Sequence, residues 1–178
     1  GTCGENLIWT QYDDGTLVIS GTGAISNYSV IPTPNSPWSM NSNIHTLKIE
    51  EGVTSIGRCA FGWMFGLKKL YIPSSVTVIG SDAFNNSLMV DNIYYAGTPS
   101  DWNNIRIDSG NYVLDGARMY YGVGDCAAEK NGACGPQLRW SLSDDGVLVI
   151  SGTGRMDDYA GGGDGVSPWY AYKSTIKK

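Results

Sequence analysis

Between residues 44 and 95, apolar positions return every 23 residues. Ile44, Leu67 and Val90 form one column, Leu47, Leu70 and Ile93 a second, and Ile49, Ile72 and Tyr95 a third. Val53 matches Val76, Ile56 matches Ile79, Gly57 matches Gly80, Ala60 matches Ala83, and Phe61 matches Phe84. A fixed period of this length is that of a solenoid, in which each unit buries its apolar face only against the next. The pattern predicts neighbouring parallel strands at 47–49, 70–72, 93–95 and 119–121, spaced about 4.8 Å apart. The last of them follows its predecessor after 26 residues instead of 23. Leu47, Ile49, Leu70, Ile72, Ile93, Tyr95 and Met119 should point into the core, with Phe61 and Phe84 stacked behind the strands. Between the last two strands, Thr98-Pro99-Ser100-Asp101 reads as a helix start, with Thr at the N-cap, Pro at N1 and Asp at N3. Trp102 and Ile105 would form its buried face.

A second, longer repeat has an offset of 131 residues. Cys3-Gly4 recurs as Cys134-Gly135, Leu7 and Trp9 as Leu138 and Trp140, and Asp13-Asp14-Gly15 as Asp144-Asp145-Gly146. Leu17 through Gly23 recurs unchanged as Leu148 through Gly154, and Ser36-Pro37-Trp38 recurs as Ser167-Pro168-Trp169. Over residues 3–38 and 134–169, 18 of 36 aligned positions are identical, which is duplication and not coincidence. Each copy reads as a β-hairpin. Asp-Asp-Gly supplies the turn, because Gly accepts positive φ and Asp accepts local hydrogen bonds. The organisation is therefore a hairpin module over 1–46, a repeat array over 47–124 with a modified last unit, and a second hairpin module over 125–178. The expected class is a β-rich solenoid with little helix. The edge of the second module, around Trp169 and Ile176, should be incompletely covered, giving either a disordered tail or self-association there.

Composition narrows the functional class. The net charge is −5 and there is no long basic run, which argues against nucleic acid. Gly is abundant at 24 residues, with 11 Tyr and 6 Trp, as suits a β-rich protein of extracellular type. No apolar stretch approaches the roughly 20 residues of a membrane span. The opening Gly1-Thr2-Cys3-Gly4 has no Met and looks like a mature or trimmed product, so the lack of a visible signal peptide does not point to the cytosol. Cys3, Cys59, Cys126 and Cys134 lack paired CxxC spacing, which argues against zinc. Cys126 and Cys134 could close a local disulfide contributing about 2–3 kcal/mol.

The segment Leu70-Tyr71-Ile72-Pro73-Ser74-Ser75-Val76-Thr77-Val78-Ile79-Gly80-Ser81-Asp82-Ala83-Phe84 resembles the unit of BspA-type leucine-rich repeats, L-x-x-I-x-I-P-x-S-V-x-x-I-G-x-x-A-F. The preceding unit is similar, with Glu50-Glu51-Gly52-Val53 replacing the Pro-containing turn, and Ile93 through Trp102 resembles a degenerate terminal repeat. The hairpin modules resemble the CG-x-N-L-x-W…DGTL-x-ISGTG segments that flank such arrays. The resemblance implies a secreted or surface-attached bacterial protein that binds protein or matrix, without enzymatic activity as the norm. The array is shorter than is usual for the family, and the family has no shared ligand site to carry over.

Catalytic chemistry finds little support. His45 is the only histidine and shares a variable polar column with Lys68 and Asp91, so an exposed, inert side chain is expected. Asp13-Asp14 and Asp144-Asp145 are accounted for by turn chemistry. Asp157, Asp158 and Asp164, beside Gly161-Gly162-Gly163, could ligate Ca²⁺ through oxygen, but a flexible polar loop is the favoured reading. Gly21-Thr22-Gly23 lacks the third glycine and the helix of a dinucleotide loop. No cofactor is expected. The remaining candidate site is an open sheet face. If Leu47, Leu70, Ile93 and Met119 point inward, Lys48, Tyr71, Tyr94 and Tyr120 point outward, bordered by Lys69 and Arg118. Such a stripe of aromatics and cations would serve a protein or glycan ligand. A polysaccharide-acting enzyme and a structural spacer are the alternatives.

Overall fold

The computed structural model describes residues 1–122, 131–142, 147–157, 167, 169, 176 and 177. Asp158 and Asp164 of the acidic glycine-rich loop, Cys126, and the Asp144-Asp145 turn lie outside these residues. In chain order the strands are β1 (Thr2–Gly4), β2 (Asn6–Gln11), β3 (Thr16–Ala24), β4 (Thr46–Ile49), β5 (Val53–Ile56), β6 (Lys69–Ile72), β7 (Val78–Ile79) and β8 (Asn92–Tyr95). There follow α1 (Pro99–Asn103), β9 (Arg106–Ile107), α2 (Val113–Gly116), β10 (Arg118–Tyr121), β11 (Asn131–Gly135), β12 (Leu138–Leu142) and β13 (Leu148–Gly152).

The strands anticipated from the 23-residue period are parallel neighbours in the order β4, β6, β8, β10. Their register is the column alignment itself: Leu47 faces Leu70, Leu70 faces Ile93, and Ile93 faces Met119. All the residues assigned to the core on these strands are buried except Met119, which is half-buried and packs against the core edge. A second parallel ladder, β5–β7–β9, runs behind the first, so each coil of chain contributes a short strand to both. Val53, Ile56 and Ile79 close the core from that side.

The first hairpin is the opening coil of this solenoid. β2 and β3 pair antiparallel, with Trp9 opposite Ile19. The turn between them closes through Tyr12 N–H to the Thr16 carbonyl at 2.8 Å, with Gly15 at φ +79°. β3 is long enough to feed both ladders. Its first half pairs in parallel with β4, Leu17 opposite Leu47 and Ile19 opposite Ile49, and Gly23 pairs with Val53 of β5. One apolar core thus runs without a break from Cys3 to Leu114.

At the bend behind the strands, Trp38, Phe61 and Phe84 form a stack. Ring centroids are 5.2 Å and 5.6 Å apart, with planes within 22° of parallel. Trp38 stands 23 residues before Phe61, so the Trp of the Ser-Pro-Trp motif is the first member of the phenylalanine column. Its indole N–H donates to the Ala60 carbonyl at 2.7 Å. The backbone bonds across the same bends: Phe61 N–H to the Ala83 carbonyl at 2.7 Å, and Trp63 N–H to the Asn85 carbonyl at 2.8 Å. The corner residues Cys59 and Asp82, one period apart, both hold positive φ.

The modified last unit closes the array. α1 begins as the sequence predicts, with Thr98 and Asp101 forming a reciprocal capping box. Ile105 is buried, while Trp102 is half-buried and edge-on to Tyr95 at 5.2 Å. Asn111 completes the bend ladder with its side chain, its amide oxygen accepting from Phe84 N–H at 3.0 Å. The second hairpin module forms its own three-stranded antiparallel sheet, β11–β12–β13, over a small core of Cys134, Trp140 and Leu142, to which Trp169 and Ile176 add.

The aromatic column gives a stability test. Phe61→Ala should cost about 3–5 kcal/mol, because rings on both sides lose their contact. Trp38→Phe keeps a ring but leaves the buried Ala60 carbonyl unpaired, and should cost about 1–3 kcal/mol. Chemical denaturation of both variants against the parent chain reads these values.

Candidate functional site

Because β4, β6, β8 and β10 lie parallel and in register, equivalent outward side chains fall in rows roughly 4.8 Å apart. One row is Lys48, Tyr71, Tyr94 and Tyr120. That spacing suits ring stacking. The Tyr71 and Tyr94 centroids are 4.5 Å apart with planes at 11°, and Tyr94 and Tyr120 are 4.9 Å apart at 12°. Lys48 Nζ lies 5.8 Å from the Tyr71 centroid, within cation–π range. The flanking row is Thr46, Lys69, Asn92 and Arg118, of which Lys69 and Arg118 are exposed. The structure therefore brings together all six residues anticipated for the stripe.

One of the six is not open. Tyr120 is 5% exposed, because the segment after β13 folds over it. Its hydroxyl donates to Asp157 Oδ2 at 3.0 Å. The other oxygen of Asp157 pairs with Arg118 Nη1 at 3.3 Å. Tyr121 N–H donates to the Pro136 carbonyl at 3.2 Å, so two points of the second module rest on the last strand of the array. The accessible stripe is Lys48, Lys69, Tyr71 and Tyr94, with Arg118 at its margin already engaged by a carboxylate. Burial pushes the Tyr120 phenol above the ordinary tyrosine range.

His45 is exposed at a shallow polar groove that also contains Tyr12, Asp13, Asp14 and Asn43. Asp14 Oδ1 accepts from Thr16 N–H at 2.9 Å, and that bond holds its carboxyl below the usual range. The carboxylate is occupied in shaping the turn. Cys3, Cys59 and Cys134 are buried, and burial raises each thiol above its ordinary value, which makes a thiolate nucleophile unfavourable. Among the described residues no three His, Cys, Asp or Glu side chains gather as a metal site. The Cys126–Cys134 pairing stays an expectation, since Cys126 lies outside the described residues.

The sequence reading missed a second feature, an apolar rim beside the aromatic bend. Phe65 and Leu88 hold matching places in successive coils and are 45% and 76% exposed, next to exposed Met89. Their 23-residue spacing was a visible signal, but in a repeat such a column reads as core until the strand register shows which side it takes.

A protein-family model, the BspA type leucine-rich repeat region (6 copies), matches residues 27–106. Over these residues the chain is similar to the BspA-type leucine-rich repeat family. The matched stretch carries β4 through β8, the phenylalanine column and two members of the tyrosine row. A solved structure that is similar is that of a leucine-rich repeat protein from Eubacterium ventriosum ATCC 27560, determined at 2.50 Å resolution. It shares 19% identity, with a TM-score of 0.46, over 83% of this chain and 47% of that one. The chain thus spans about half the length of that protein. No curated protein matches.

The phenols and thiols shielded by burial predict alkaline sensitivity. Tyr28, Tyr95, Tyr120 and Tyr121 are all raised from 10.0, first by burial. A raised folded value means the native state holds its protons longer than the unfolded chain. The stabilisation is therefore complete below the unfolded value and is lost as pH rises through the folded one. Unfolding followed across alkaline pH should show this fall, and Tyr120→Phe should make it shallower. An unchanged slope in that variant would mean that Tyr120 titrates as if exposed.

Proposed function

We propose that the chain is a non-catalytic binding module of a secreted or cell-surface bacterial protein, and that it engages a protein or glycan ligand through the front face of its repeat sheet. The observation that carries this reading is the Tyr71–Tyr94 platform: two parallel half-exposed rings, held rigid by the strand spacing and flanked by Lys48 and Lys69. Preordered aromatics lose little entropy on binding, and their phenol edges can bond to polar partners. The flanking ammonium groups add attraction for carboxylates. Similarity to a leucine-rich repeat family supports protein binding, and BspA-type proteins are typically found at the bacterial surface or secreted. No helix among the described residues is long and apolar enough to cross a membrane.

An adhesive role follows if the ligand is a host or matrix component. Action on polysaccharide would require converging carboxylates in a cleft, and Asp13 and Asp14 instead serve a turn beside a shallow groove. The exposed Phe65, Leu88 and Met89 rim supports a second contact surface for a protein partner.

Arrays of extracellular matrix proteins and glycans, probed with the full chain, test the reading. Tyr71→Ser with Tyr94→Ser should weaken binding by roughly tenfold or more, since aromatic anchors contribute on the order of 2 kcal/mol. Lys48→Ala with Lys69→Ala should weaken it less and reduce its salt dependence. If the tyrosine variant loses stability but binds as before, the stack is sheet packing only. If Phe65→Ser with Leu88→Ser alone abolishes capture, the rim is the contact surface. Absence of capture on every surface would favour the spacer reading.

A further inference from the structure

Three successive coils leave their bends in the same way. Phe65-Gly66-Leu67, Leu88-Met89-Val90 and Tyr112-Val113-Leu114 each place an exposed residue two positions before a buried one. The local turn is shared: Leu67 N–H donates to the Met64 carbonyl at 3.2 Å, and Leu114 N–H to the Asn111 carbonyl at 3.0 Å. The buried members join the core, so the exposed members form a ridge along one side of the solenoid. Tyr112 is 80% exposed, and Met89 and Met40 extend the apolar surface beside Leu88 and Phe65. Phe65 is steadied edge-on by Trp63 at 5.9 Å. An exposed apolar strip that is contiguous in this way marks an interaction surface. It runs along the side of the array and not at an end, and all of its residues, with the bends that carry them, are described.

Charges stand beside the ridge in a definite order. Lys68 follows Leu67, and Asp91 follows Val90. Both are exposed. Backbone bonds fix them one coil apart, Lys68 N–H donating to the His45 carbonyl at 2.9 Å and Asp91 N–H to the Lys68 carbonyl at 2.9 Å. Neither is in an ion pair among the described residues. The sign along the ridge therefore changes from plus to minus between the coil of Phe65 and the coil of Leu88. A two-fold axis crossing the ridge at that point lays plus on minus and Phe65 on Leu88.

We propose that this ridge is an interface with a second copy of the chain, the two solenoid axes antiparallel, with Phe65 packed on the partner's Leu88 and Lys68 paired with the partner's Asp91, each contact made twice. This names a partner for the rim already described as a second contact surface. The occupant is specified by spacing, charge and size. A second copy repeats the same interval, about 4.8 Å per coil, so every row stays in step, whereas a docked helix, at about 5.4 Å per turn, drifts along the ridge. The charges are self-complementary in the antiparallel arrangement alone, because parallel ridges would set Lys68 beside Lys68 and Asp91 beside Asp91. A stable interface of standard size buries roughly 800 Å² per partner, more than this ridge of five side chains supplies, so the association is reversible and depends on concentration.

Sedimentation of the full chain over a wide concentration range supplies the test. The parent chain should show a reversible monomer–dimer equilibrium. Lys68→Glu sets carboxylate against the partner's Asp91 at both contacts, and Asp91→Lys sets ammonium against ammonium. Each variant alone should weaken dimerisation by about tenfold or more, and less in high salt. The two variants mixed should form a heterodimer about as tight as the parent dimer, because every contact across the axis again joins opposite charges. Leu88→Ser should weaken self-association by about tenfold and leave binding through the tyrosine row unchanged. Tyr71→Ser with Tyr94→Ser should dimerise as the parent does, so this reading and the front-face reading can fail separately. A parent chain that stays monomeric at millimolar concentration overturns the proposal, as does a dimer that both charge variants and Leu88→Ser leave intact. Charge variants that fail to pair on mixing overturn it too.

Discussion

Every later feature depends on one constraint: successive coils must return to the same height, one strand spacing further along. A residue in one coil then has its equivalent in the next as its nearest neighbour, and like meets like. For Trp38, Phe61 and Phe84 that means a ring on a ring, at 5.2 Å and 5.6 Å. For the backbone it means that an N–H at each bend finds the same carbonyl of the neighbouring coil. The corners tolerate no shift in length, because Cys59 and Asp82 hold matching left-handed conformations. Such a corner is uncommon outside glycine, and the ladder of bonds across the bends holds it in place.

The same constraint makes the outer face. Stacking of Tyr71, Tyr94 and Tyr120 follows from equal register and needs no ligand to explain it, and a cross-strand aromatic pair contributes only a few tenths to about 1 kcal/mol. What distinguishes the row is how it ends. At one end Lys48 lies over Tyr71, and at the other Asp157 accepts from Tyr120 and pairs with Arg118. The duplicate position in the first module is Ser26, whose backbone N–H bonds to the Cys3 carbonyl at 2.8 Å, as Asp157 N–H bonds to the Cys134 carbonyl at 2.8 Å. The backbone role is kept, and the change to a carboxylate turns that loop into the clasp that closes the tyrosine row.

These particulars show what the sequence makes legible. The front strands, their register and the inward residues follow from spacing, because each depends on equivalent residues of successive units, and the capping of α1 follows from the local Thr98-to-Asp101 pattern. The place of β3 does not. Leu17 precedes Leu47 by 30 residues and not 23, since the segment between β3 and Trp38 is longer than a repeat bend, so the first hairpin reads as a flanking module. Trp38 was within reach, as it keeps the 23-residue interval to Phe61, but a tryptophan in a phenylalanine column is easily taken for an edge plug. The burial of Tyr120 had no local signal at all: its cover arrives 37 positions later, from an acidic residue that in sequence belongs to a polar loop.

The identical segments make the same point from the other side. Leu-Val-Ile-Ser-Gly-Thr-Gly has one propensity and one alternation, yet Ile19 is fully buried and Ile150 is 39% exposed. The difference lies in the neighbour, since β4 covers one seat and no described strand covers the other. In a solenoid, burial is conferred by the adjacent coil and not by the strand itself.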